Sequence, residues 1–216
     1  MKSRSRYILP EAFGFFTPLA IIAFVTGFLS LWVACVISSA AALFVVWFFR
    51  NPERKAPEGS TSLLSPADGR ILKIEEGVAP AKGGLEGSFT KVSIFMNIFN
   101  VHVNRSPCRG EVKKITYYPG KFLSANLDKA SSENERNALL ISMDDGREIL
   151  VVQIAGLIAR RIVCWVKEGE RLDRGERFGL IRFGSRLEVF MPEGTKTAVS
   201  VGDKVTAGET TIGYLS

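Results

Sequence analysis

The residues of this 216-residue chain best suited to chemistry are Ser185, which follows Gly184, the single histidine His102, and Asp68. Any imidazole chemistry must pass through His102, and a multi-histidine metal centre is ruled out by composition. An imidazole with a reference pKa near ~6.5 moves protons in both directions near neutral pH. In the run from Asn97 to Pro107, alternation puts Val101 and Val103 on one face of a predicted strand and Asn100, His102 and Asn104 on the other. An Asn-His-Asn face is a poor apolar core and needs polar partners. Asp68 lies in Ser65-Pro66-Ala67-Asp68-Gly69, a tight turn that an Asx turn alone would explain. Gly184-Ser185 is, taken by itself, a common turn dipeptide.

Two regions of different character must position these residues. From Ala12 to Phe49 no charged residue occurs, a run longer than the ~20 residues one helix needs to cross hydrocarbon. Thr26-Gly27 near its middle is the expected break. Lys2, Arg4 and Arg6 precede the run and Arg50, Arg54 and Lys55 follow it, so both ends belong on the cytoplasmic side of a membrane. Residues 1–50 thus read as a helical hairpin and 51–62 as a linker. The run is too long for a signal peptide, and no small-residue cleavage pattern follows it.

Residues 63–216 carry short β-branched and aromatic runs punctuated by glycine and proline, the pattern of an antiparallel β sandwich or barrel. Between Lys129 and Arg136 a loop with at most a turn or two of helix is expected. Val166 to Glu176 echoes Val199 to Glu209, with Gly169, Gly175, Gly202 and Gly208 in matching places and Leu172 and Val205 between them. These half-repeats resemble the lipoyl and biotinyl hammerhead, but no lysine occupies the hairpin tip that would carry a cofactor arm.

Five segments occur in the order found in the phosphatidylserine decarboxylase family: Ser65-Pro66-Ala67-Asp68-Gly69, Asn100-Val101-His102-Val103-Asn104-Arg105, Asn134-Glu135-Arg136-Asn137, Gln153-Ile154-Ala155-Gly156 and Arg182-Phe183-Gly184-Ser185-Arg186. With the apolar hairpin ending in Trp47-Phe48-Phe49-Arg50-Asn51-Pro52, the chain resembles the short bacterial branch of that family over nearly its whole length. Longer forms carry Leu-Gly-Ser-Thr where this chain has Phe183-Gly184-Ser185-Arg186.

The resemblance implies a proenzyme that cuts itself between Gly184 and Ser185 into residues 1–184 and 185–216, which stay together. Ser185 would attack the Gly184 carbonyl, giving an ester that eliminates and hydrolyses to a covalent pyruvoyl group. His102 would be the base and Asp68 the residue that orients it. The pyruvoyl would then form a Schiff base with phosphatidylserine, releasing CO2 and phosphatidylethanolamine in phospholipid biosynthesis. No metal is implied. Arg105, Arg160, Arg161 and Arg186 are candidate headgroup contacts, though each taken singly is better explained as solvated surface charge.

A net charge of +6 suits nucleic acid, an anionic membrane or a phosphorylated substrate, but the basic residues flank an apolar run and no nucleic-acid motif appears. Cys35, Cys108 and Cys164 are odd in number and far apart, arguing against disulfides and zinc. Two other readings stay open: decarboxylation of a different serine-headed lipid of the archaetidylserine kind, and a membrane-tethered lipoyl-like module without activity.

Overall fold

A computed structural model describes residues 7–59, 61–80, 85–125, 129–157, 161–182 and 184–215. Lys2, Arg4, Arg6, Arg160 and Phe183 lie outside the described residues. The chain divides into two compact units, Met1–Glu53 and Arg54–Ser216.

In the first unit α1 (Phe13–Phe28) and α2 (Trp32–Phe48) are apolar on every side. Phe24, Phe28 and Val33 are each at least three-quarters exposed, a surface that suits lipid rather than water. The stretch Pro10–Phe28 is long and apolar enough to cross a membrane, with mean hydropathy 1.6. The chain turns at residues 29–31, beyond the Thr26-Gly27 break expected from sequence. The Thr26 hydroxyl donates back to the Ile22 carbonyl at 2.7 Å, so the helix keeps its hydrogen bonds there. Gly27 serves packing instead, since a Cβ on it would lie 3.3 Å from the Cys35 sulfur.

The second unit is antiparallel β. Its strands are β1 (Ser62–Leu64), β2 (Gly69–Val78), β3 (Phe89–Met96), β4 (Val103–Arg105), β5 (Gly110–Tyr118), β6 (Arg136–Ser142) and β7 (Glu148–Ala155). They continue with β8 (Ile162–Cys164), β9 (Arg171–Leu172), β10 (Arg177–Ile181), β11 (Ser185–Pro192), β12 (Lys196–Thr197), β13 (Lys204–Val205) and β14 (Thr211–Tyr214). A single helical turn, α3 (Ala130–Glu133), precedes β6, within the loop expected there. An eight-stranded sheet runs β13-β2-β3-β11-β7-β6-β5-β9, beside the small sheets β1-β14-β12 and β4-β10-β8.

The two glycine-rich half-repeats supply β9 and β13, the opposite edges of the large sheet. Their four glycines all adopt positive φ, and Leu172 and Val205 point into the core. Gly175 and Gly208 lie against each other, so the repeat turns meet and the sheet curls into a half-barrel. β11 lies at its centre, hydrogen-bonded to β3 and β7. Leu187, Val189 and Met191 face the main core with Val92, Ile94, Leu139 and Val151, whereas Phe190 joins a second cluster on the other face with Leu150 and Val152. Alternation therefore places Ser185 on the core face and Arg186 and Glu188 opposite.

Candidate active site

His102 stands immediately before β4, not within a strand as its alternation suggested. The side chain of Asn100 accepts from the Asn97 N–H at 2.9 Å and that of Asn97 from the Phe99 N–H at 2.8 Å, so this segment spends its polar groups on a turn. The expected polar face is buried: His102 is 2% exposed and Asn104 wholly enclosed. Asn104 meets its need for partners by accepting from Gln153 Nε2 at 2.8 Å, and Gln153 in turn accepts from Asn137 Nδ2 at 3.0 Å. This chain of amides links β4 to β7 and β6 beneath the site.

Because β10 runs antiparallel to β4, its last residue, Ile181, lies beside His102, and the Ile181 N–H donates to the His102 carbonyl at 3.3 Å. The chain then turns through Gly184 into β11. At φ +74° Gly184 occupies the left-handed region, where a residue with a Cβ is strained. Its N–H donates to His102 Nε2 at 3.1 Å. On the other side of the ring, His102 Nδ1 lies 3.0 Å from the Asn100 carbonyl oxygen. A carbonyl only accepts and an amide N–H only donates, so the ring is neutral, with its hydrogen on Nδ1 and its lone pair on Nε2. The base nitrogen thus points at the residue just before Ser185.

Ser185 is fully buried, and its hydroxyl has no hydrogen-bond partner among the described residues. An unsatisfied buried hydroxyl costs about 1–3 kcal/mol, the sort of debt a fold retains at a reacting group. Ser185 pairs with Met96 on one side and Ala155 on the other. Asn134 fixes that second neighbour, donating from Nδ2 to the Ala155 carbonyl at 2.7 Å. Gly156 follows: a Cβ there would fall 2.3 Å from the Gly184 carbonyl oxygen, so the missing side chain leaves room for the carbonyl that Ser185 would attack. Asn134 and Gly156 belong to segments whose order is plain in the sequence, while their roles depend on contacts across strands.

Asp68 accepts from both ends of the Arg54 guanidinium, from the Ala207 N–H at 2.9 Å and from the Val101 N–H at 3.3 Å. It reaches His102 through the backbone of the preceding residue, not through the ring. Of the candidate headgroup arginines, Arg105 and Arg186 are buried; Arg105 donates to the Gly175 carbonyl, and Arg186 bonds Ser131 Oγ at 2.6 Å and approaches Glu188 at 3.6 Å. Arg161 is exposed. A cavity of about 250 Å³ opens at Gly184, walled by Phe95, Ile98, Ala125 and Leu157, with Asn97 and Ser124 as its polar lining. The three cysteines form no disulfide, and burial, with a smaller push from the Asp145 charge, raises the Cys108 thiol to about 12, leaving it inert near neutral pH.

Residues 41–213 match the family described as phosphatidylserine decarboxylase. The chain is 58% identical over 202 residues to a protein of Syntrophus aciditrophicus named phosphatidylserine decarboxylase proenzyme, covering 94% of this chain and 92% of that one. Proteins of the same name from Ruegeria pomeroyi and Nitrosomonas europaea are 46% identical over 222 residues, the full length of both chains, and 49% identical over 205, covering 95% of this chain and 94% of that one. Such identity along nearly the whole length, together with a buried serine, a left-handed glycine and an imidazole at one turn, means that the chain belongs to the phosphatidylserine decarboxylase family.

Proposed function

We propose that this carboxy-lyase is made as a proenzyme, cuts itself between Gly184 and Ser185, and uses the new terminus to convert phosphatidylserine to phosphatidylethanolamine and CO2 in phospholipid biosynthesis. One observation carries the reading: the lone pair of His102 Nε2 faces Gly184, while the adjoining Ser185 hydroxyl is buried without a partner among the described residues. Once the Gly184 N–H releases Nε2, His102 takes the Ser185 proton, and the Asn100 carbonyl holds the positive ring through Nδ1–H. The serine oxygen bonds to the Gly184 carbonyl carbon as the C–N bond breaks, and the proton passes to the freed amine. Loss of the serine α-proton then expels Gly184 as a carboxylate, and water releases ammonia from what remains of Ser185.

The residues present fit a pyruvoyl group at this position: the orphaned hydroxyl is its precursor, and the cavity beside Gly184 gives it an apolar mouth. That group supplies a ketone able to engage the substrate amine and accept the electron pair left by departing CO2. His102 Nε2 returns a proton to the substrate α-carbon, and the walls of Phe95, Ile98 and Leu157 exclude water. Asp68 orients His102 by holding the Val101 N–H. The apolar hairpin and its basic flanks support anchoring to the inner membrane with the β unit on the cytoplasmic side, where a lipid headgroup is within reach.

Intact mass of the purified protein tests the proposal. The expected result is a fragment 185–216 with a blocked, borohydride-reducible N-terminus, and a Ser185→Ala chain that stays whole and inactive. Active protein consisting of one uncut chain with serine at position 185 would overturn it. Analysis of the lipid product distinguishes phosphatidylserine from other serine-headed lipids.

A further inference from the structure

Arg54 lies in the polar stretch that follows the helical unit, where a cation is ordinarily solvated. Its side chain is instead only 8% exposed and that of its partner Asp68 14%. Arg54 Nη1 bonds Asp68 Oδ1 and Nη2 bonds Oδ2 at 2.9 Å, a fork against a fork. Nη1 also donates to the Ala207 carbonyl at 2.8 Å, and Asp68 Oδ1 accepts the Ala207 N–H at 2.9 Å. The ion pair therefore grips both polar groups of one residue in the segment downstream of the Gly184–Ser185 bond. The remaining bond of Asp68, from Oδ2 to the Val101 N–H, holds the residue next to His102.

We propose that Arg54 is a positioning residue for self-cleavage, acting through Asp68; the proposal rests on the Gly184–Ser185 cut described above. With Arg54 in place, the carboxylate has one orientation and ties the His102 segment to the downstream segment in fixed register. Without it, a carboxylate enclosed by protein lacks its counter-charge and turns toward other donors, releasing Val101 and loosening His102. Lysine cannot replace the arrangement fully, because a single ammonium does not present two parallel donors to a carboxylate and a third to a carbonyl.

The test follows the rate of cleavage in full-length protein in detergent, by denaturing gel and intact mass, for wild type, Arg54→Lys, Arg54→Met and Arg54→Ala. Leu140→Ala serves as the control: it removes a buried side chain of β6 from the second cluster, on the other face of the sheet, and lowers the melting temperature without touching the pair. Cleavage is expected to slow about tenfold in Arg54→Lys and about a hundredfold in Arg54→Met, as a bidentate pair is first degraded and then lost. Leu140→Ala, melting as low as either, should cleave at the wild-type rate, and added guanidinium ion should accelerate Arg54→Ala. If Arg54→Ala fails to fold, the lysine and methionine variants decide. An Arg54→Lys chain cut as fast as wild type, or rates that simply follow melting temperature across all variants, overturns the role of Arg54 alone. A wild type never cut at Gly184–Ser185 overturns this proposal and the self-processing reading together.

Discussion

A methyl group on Gly156 would sit 2.3 Å from the Gly184 oxygen and 3.1 Å from its carbon, backbone atoms that β10 and β11 hold on either side. Gly156→Ala must therefore shift the Gly184 carbonyl, the group Ser185 would attack in the proposed cleavage, relative to its neighbours, though Gly156 itself adopts no left-handed conformation. A shift of a fraction of an ångström in an attack geometry costs about tenfold or more in rate. The Gly156→Ala chain should melt below Ser185→Ala, because backbone must give way, and accumulate uncut even well below its melting temperature; cleavage at the wild-type rate would show that the carbonyl is not held against Gly156. At this scale the sequence is legible where residue type alone restricts chemistry. The one histidine, and the one Gly-Ser bond of three that falls among the other segments, direct attention to His102, Gly184 and Ser185. The partners of Asp68 are not legible, because Arg54, Val101 and Ala207 are brought to it by three separate stretches of chain. Asn100 fixes the ring through its backbone carbonyl, a group that every residue carries and no motif records.

Among the elements, the strands and the apolar helices follow from periodicity and composition, whereas their ends do not. Thr26-Gly27 has the composition of a break, yet the helix passes through it because threonine can bond backward and glycine can pack against a neighbour. The Asn97 to His102 stretch alternates like a strand, yet its asparagine side chains capture local N–H groups and form a turn. On β2, Glu75 shows how charge supports an element. Burial alone would raise its carboxyl, but hydrogen bonds from Lys73 and Lys91, at 2.8 and 2.6 Å, outweigh that and hold it below the usual 4.5. A carboxyl depressed in the folded state stabilises the fold above its unfolded value and loses that contribution as pH falls through the depressed one. Because the side chain is partly exposed, Glu75→Gln should cost less than about 1 kcal/mol at pH 7. The difference in denaturant midpoint from the parent, both measured in uncut Ser185→Ala protein, should shrink below pH 4.5 and vanish at lower pH; a constant difference would mean that the pair contributes nothing through its charge.

At the scale of the whole molecule, the proposed cut would remove a covalent link without removing a strand. It falls at the entrance to β11, which keeps its full ladder to β3, from Ser185↔Met96 to Pro192↔Phe89, and its pairing with β7. Beyond β11 the downstream segment adds β13 against β2 and β14 against β1. Leu187, Val189, Met191 and Ile212 are buried in the main core, and each side chain withdrawn from water contributes about 1.5–3 kcal/mol to holding the segment in place. The cleaved protein should therefore elute from a sizing column in detergent as one species and separate into residues 1–184 and 185–216 only on denaturation. Refolding then distinguishes the two covalent states. The uncut Ser185→Ala chain closes its central strand within one molecule, so its recovery on dilution from denaturant should not depend on protein concentration. For the cut protein, β11 must be recaptured from solution between two strands that otherwise leave a gap in the middle of the sheet, so recovery should fall as the protein is diluted. Equal, concentration-independent recovery of both would mean that the downstream segment is dispensable to the fold, which its central place in the sheet forbids.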